Sequence, residues 1–213
     1  MKISNAVKLI AFCLALLTIR ILRTGNFTFL FLVWNLFLAW LPYYFISNYR
    51  KIDSSFYRLF IAGITILFLP NAPYIMTDLF HLDKHFKAPM WLDLVLILGF
   101  AFSGMVFFIL TVNQLLAIIR SYHFSAAQEF AVKLLIMASC GYGIYLGRYL
   151  RFNSWDIIAN PFGLASEMLN SVLDKNNYKE TFAITITFTI FLYLIVEISG
   201  SLKHNTEDKN ELL

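Results

Sequence analysis

A chain of 213 residues that is 59% apolar and only 14% charged, with a mean hydropathy of +0.68, is too hydrophobic for a soluble globular domain. That composition excludes a soluble electron carrier and a nucleic-acid binder. The formal charge of +4 comes from Lys and Arg scattered at the ends of apolar runs, as expected for chains facing anionic headgroups, and no basic stripe is present.

Six runs are long enough to cross a hydrocarbon core: 7–22, 27–47, 56–69 with a broken continuation, 91–119, 126–150 and 181–199. The predicted fold is an all-α polytopic transmembrane bundle, a single membrane domain over 1–200 with a polar, frayed tail over 201–213. In the first run, Thr18, Ile19 and Arg20 stand where a signal peptide needs small residues, so an uncleaved span is expected. Cys13 and Cys140 lie inside apolar runs without a C-x-x-C partner and read as core residues. Discounting the long fifth loop, the loop charges favour an inside N-terminus, and an even number of spans places the C-terminus on the same side.

The third run is the unusual one. Residues 57–69 reach about 20 Å at 1.5 Å per residue, short of a core of about 30 Å, and "LPNAPYIMTDLFHL" then follows. Pro70 and Pro73 each remove a backbone donor and disfavour helical geometry in the residue before, which predicts a break at Pro-Asn-Ala-Pro with Leu69 and Ala72 extended. Carbonyls near Phe68 and Leu69 then need a partner, and Asn71 is the side chain placed to supply one. Beyond the break a resumed helix over 74–82 would align Asp78 and Thr77 with His81, and His85 one turn on. Asp and His on one stripe suit a carboxylate orienting an imidazole for proton transfer, or a divalent-metal set of Asp78, His81 and His85. A polar interfacial helix without chemistry fits the same residues, since no Glu sits within His-x-x-x-His as in a metalloprotease helix.

In the fourth and fifth spans the signals are structural. Ser139, Gly143 and Gly147, like Gly63 in the third, would let a neighbouring helix approach closely. The polar intruders Asn35, Asn113, Gln114, Lys133 and Glu197 form no row of the kind that marks an ion pathway. At the end of the fifth span comes "LGRYLRFNSWDIIANP". There Arg148 and Arg151 share a face, Asn153 or Ser154 can cap a short helix with Asp156 in its first turn, and Trp155 suits the headgroup level. Snorkelling at the membrane border is the plain reading of the arginines. After Pro161, residues 162–174 are amphipathic, predicting an interfacial helix between spans five and six with Phe162, Leu169 and Val172 buried.

The third and fifth spans run in the same direction, so Asn71, Asp78, His81, Asp83, His85, Asp93 at the entry to the fourth span, Arg148, Arg151, Asn153 and Asp156 all emerge on one side of the membrane. A pairing of Asp78 or Asp156 with Arg148 or Arg151 is expected there, because charge left unpaired near hydrocarbon is costly. The combination of "LPNAPYIMTDLFHL" with "LGRYLRFNSWD" resembles the bacterial multi-pass family catalogued as domain of unknown function 1361. The resemblance spans nearly the whole chain and implies a bacterial cytoplasmic-membrane protein, but brings no activity with it.

Three function classes therefore stand. The first is a membrane enzyme acting on a lipid-linked or amphiphilic substrate, with Asp78 and His81 as acid, base or ligands of a divalent metal, and Asn71, Arg148, Arg151, Asn153 and Asp156 binding substrate. The second is a transporter or permease subunit, for which the broken helix argues. The third is a scaffold of a cell-envelope complex. Membrane lipids are the expected partners in all three, and nucleic acid in none.

Overall fold

The computed structural model describes the backbone of residues 3–82, 88–173 and 178–211. Among these residues every regular element is helical, and six segments are long and apolar enough to cross a membrane: Asn5–Thr24, Thr28–Lys51, Ser55–His81, Met90–Ser121, Ala126–Arg148 and Tyr178–Leu202. The chain is a multi-pass membrane protein with an all-α fold. It divides into two compact units, Met1–Thr111 and Val112–Leu213.

The first unit holds α1 (Ile3–Thr24), α2 (Phe31–Asn48), α3 (Ser55–Phe68), the single turn α4 (Asn71–Tyr74) and most of α5 (Met90–Ser121). Gly25 ends α1 in the left-handed region, at φ +63°, which glycine adopts without steric cost. A Cβ on Gly99 of α5 would stand 2.5 Å from the Cys13 sulfur, so α1 lies close against α5. At Gly104 an added Cβ would stand 2.6 Å from the Ala72 carbonyl oxygen, so the third span also meets α5 backbone to side. Gly63 has open space around it, and among the described residues nothing makes the close approach expected there.

The third span is interrupted, but not in the way its prolines suggest. The α pattern stops at Phe68 and returns for one turn over Asn71–Tyr74, and a 3₁₀ helix then runs over Ile75–His81. Leu69 and Pro70 stay helical, at φ −55°, ψ −38° and φ −58°, ψ −25°, and Ala72 lies inside α4. The expected extended residues are therefore not there. The amide of Leu69 still reaches the Thr65 carbonyl and that of Tyr74 the Pro70 carbonyl, so hydrogen bonding carries on around the prolines, and proline's own φ suits a helix. Asn71 Nδ2 donates to the Phe68 carbonyl at 2.8 Å, the repair that the sequence pointed to.

The second unit pairs α6 (Ala126–Arg148) with α9 (Tyr178–Glu211) and carries the short α7 (Asp156–Ala159) and α8 (Pro161–Leu173) between them. Ser125 and Gln128 form a reciprocal capping box that starts α6. The tight contact between α6 and α9 is made at Gly141, where a Cβ would stand 2.6 Å from the Thr185 carbonyl oxygen and 2.9 Å from the Thr189 hydroxyl. This close-packing position lies on the same helix as the expected Ser139, Gly143 and Gly147. Helicity in α9 runs on to Glu211, and the sequence has no proline and no glycine after Gly200 to stop it.

Helix α8 forms over the expected residues, but its burial is the reverse of the expectation. Phe162 is 89% exposed, and Leu169, Val172 and Leu173 are exposed as well, whereas Ser171 is buried. The reason is a polar anchor: the Tyr142 hydroxyl of α6 lies 3.0 Å from the Ser171 hydroxyl and donates to the Met168 carbonyl. That contact turns the Ser171 side inward and leaves the apolar stripe facing out, the arrangement of a helix resting on a lipid boundary rather than on protein.

Candidate functional site

Charge burial picks out one end of the first unit. Arg20 and Asp93 are 0% and 2% exposed, and Arg20 Nε donates to Asp93 Oδ1 at 2.6 Å while Nη2 reaches Oδ2 at 3.3 Å. Two parallel bonds of this kind fix the guanidinium plane. Arg20 Nη1 donates to the Asn26 carbonyl, and its Cζ sits 4.1 Å from the centre of the Phe29 ring, a cation–π contact that stabilises the charge away from water. Nothing in the sequence linked Arg20 to Asp93, 73 positions apart. The one signal was an arginine inside an apolar run.

Aromatic rings lead from this pair to the second one. Phe29 and Phe31 meet edge to face at 5.9 Å, and the Phe31 ring lies 5.1 Å from the His81 imidazole. His81 belongs to the 3₁₀ segment, where side chains three apart eclipse, so it stands over Asp78. Its Nδ1 is 3.9 Å from Asp78 Oδ1; the imidazole is 45% exposed and the carboxylate fully buried. Asn35 of α2 donates from Nδ2 to Asp78 Oδ2 at 2.9 Å. The intruding Asn35 is thus a partner of the buried acid. Three residues per turn also take Thr77 off the His81 face; it is buried, and its hydroxyl donates to the Tyr74 carbonyl.

The end of α1, the start of α2, the end of the third span and the start of α5 all lie on one side by alternation of the spans. Asn71, Asn35, Asp78, His81, Arg20 and Asp93 are among the polar groups they bring there. His85, the third member of the expected metal set, and Asp83 lie outside the described residues. Among the described residues no group of three His, Cys, Asp or Glu is arranged to hold a metal.

The second unit places its expected residues on the turn after α6. Arg151 sits at φ +59°, in the left-handed region that costs a non-glycine residue about 1–2 kcal/mol. The Phe152 amide reaches back to the Leu146 carbonyl at 3.1 Å to close this turn. Asp156 Oδ2 accepts from the Asn153 amide at 2.6 Å, so its partner is that backbone rather than Arg148 or Arg151. Lys133 pairs with Glu197 across α6 and α9, with its ammonium 4.4 Å from the Tyr193 ring, and two of the remaining intruders are thereby a helix-to-helix staple.

A family model described as "Protein of unknown function (DUF1361)" matches residues 34–195, which takes in Asn35, Asn71, Asp78, His81, Asp93 and the Arg148–Asp156 turn. Neither the curated proteins nor the solved structures gave a match.

Proposed function

The chain belongs to the DUF1361 family, and from the residues within that match we propose that it is a membrane enzyme acting on a lipid-linked or amphiphilic substrate, with His81 as the proton-transfer group. The observation that carries this reading is the buried Asp78 carboxylate, held by Asn35 and set 3.9 Å from the half-exposed imidazole. A carboxylate 3.9 Å from one ring nitrogen is beyond direct hydrogen-bond distance but favours a proton on that side of the ring by its charge, and leaves the ring able to exchange one with a substrate. Asp78 is then a positioning residue, and Asn71 serves by holding the interrupted span in shape.

Arg148 and Arg151, with Asn153 and Asp156 on the same turn, are proposed to bind the anionic group of an amphiphile at their own end of the second unit. Arg151 keeps a backbone conformation that glycine would take without strain, which favours a use for its side chain. The proposed setting is a bacterial cytoplasmic membrane with both termini inside. A divalent metal on His81 remains an outcome of the test rather than part of the reading.

The transporter reading draws on the interrupted third span. Helical geometry persists through Leu69 and Pro70, and Asn71 takes the Phe68 carbonyl, so the enzyme reading is the better supported. The test is the lipid extract of cells lacking the gene, compared with cells complemented by the natural chain, by His81→Ala and by His81→Gln. A substrate amphiphile should accumulate with both variants and disappear with the natural chain. A lipid profile restored by both variants, inserted to normal levels, would reject proton transfer through His81; activity restored by added divalent metal would move the role to metal binding.

A further inference from the structure

Helix α2 presents an aromatic ladder to the outside of the first unit. Trp34, Phe37 and Tyr44 are 52%, 44% and 48% exposed, and Trp40 is half-buried between them. Successive ring centres are 5.5, 6.1 and 5.0 Å apart, so the four rings form one continuous surface. The exposed Leu30, Trp34, Phe37 and Tyr44, with the half-buried Leu41 in the same row, are spaced 4, 3, 4 and 3 apart, the a/d spacing of a helix that packs along a second helix.

Depth makes the ladder unusual. Tryptophan and tyrosine on membrane spans concentrate at the two headgroup levels. Here the span is Thr28–Lys51 and the ladder occupies its middle, about 15 Å of the helix axis. Trp40 and Tyr44 carry an indole N–H and a phenolic hydroxyl at this depth, where acyl chains offer no acceptor.

We propose that this face of α2 is the contact between two copies of the chain, related by a twofold axis along the membrane normal. Such an axis sets α2 parallel to its copy and brings each ladder residue beside its own equivalent, as a self-complementary interface requires. Rings exposed to this degree, with Leu30 and Leu41, would bury roughly 500 Å² per copy and about 1,000 Å² in all, the lower end for a specific interface. Stacked and edge-on aromatic pairs would supply the packing that holds helices together in lipid, where apolar burial alone does not.

The test is oxidative cross-linking in native membranes of single-cysteine additions along the helix, with the parent chain, whose Cys13 and Cys140 are buried, as the blank. Leu30→Cys, Phe37→Cys, Leu41→Cys and Tyr44→Cys should each give a band at twice 24.7 kDa. Leu14→Cys, Phe60→Cys and Phe102→Cys, exposed on other spans, should give at least tenfold less. In gentle detergent the natural chain should scatter light as a dimer and W34A/W40A as a monomer. Uniform cross-linking at all seven positions, a natural chain that is monomeric in gentle detergent, seam variants without a specific band, or seam bands at the mass of a different protein would overturn the proposal. Because none of these readouts involves His81, they succeed or fail independently of the enzyme reading.

Discussion

The two units treat charge in opposite ways. In the first, Arg20, Asp93 and Asp78 are out of contact with solvent, and each is met by directed partners. In the second, Arg120 pairs with Glu129 and Lys133 with Glu197, but Arg120 is 65% and Glu197 50% exposed. An exposed pair contributes about 0–1 kcal/mol, whereas taking one partner from a buried pair costs about 3–5 kcal/mol because the other charge is stranded. The contrast is what favours the proposed place for the chemistry. Buried charge with one group left partly exposed, as at Asp78 and His81, is the arrangement that a site needs and a staple does not.

The sharpest way to break this comparison is Asp93→Ala. It should lower stability by about 3–5 kcal/mol by stranding Arg20, seen as loss of monodisperse protein after mild heating in detergent, and the paired change R20L/D93L should recover much of it. If Asp93→Ala unfolds no more readily than the natural chain, the pair is not structural.

Backbone contact comes next in size. Gly104→Ala and Gly141→Ala should each cost about 1–3 kcal/mol, because the atom in the way is a carbonyl of the facing helix, while Gly63→Ala, in open space, should be neutral or slightly stabilising. Equal melting temperatures for all three variants would remove the close approaches from the account. Arg151→Gly should gain about 1 kcal/mol by relieving the left-handed residue while weakening function, and loss on both counts would mean that the side chain is structural. The smallest effect is expected from Glu197→Gln, less than about 1 kcal/mol, measured as a thermal shift in the same detergent.

Much of this was legible from residue order alone. Apolar run length gave the six spans to within a few residues, since the hydrocarbon thickness sets it. Asn71 as the partner of a carbonyl left by Pro70 and Pro73 was readable because the contact is local. Asp78 and His81 were placed together for the wrong period, α rather than 3₁₀, and survived because three residues apart is shared by both. Arg20 with Asp93, and Asn35 with Asp78, were not readable: they join spans 73 and 43 positions apart, and the choice of partner is made by helix packing. The outward stripe of α8 was misread because amphipathicity says that two faces differ, not which of them meets protein and which meets lipid.

Two buried carboxylates, Asp93 and Asp78, are given different tasks, and one measurement separates them. Asp78→Asn and Asp93→Asn are each introduced into the full chain and scored for thermal stability in detergent and for the lipid extract of the complemented cells. Asp78→Asn keeps the shape of the side chain and should remain folded and inserted while the amphiphile accumulates as it does without the gene; Asp93→Asn should chiefly lose stability. A stable Asp78→Asn chain that restores the natural lipid profile would contradict the assignment of Asp78 and His81 to a proton-transfer site.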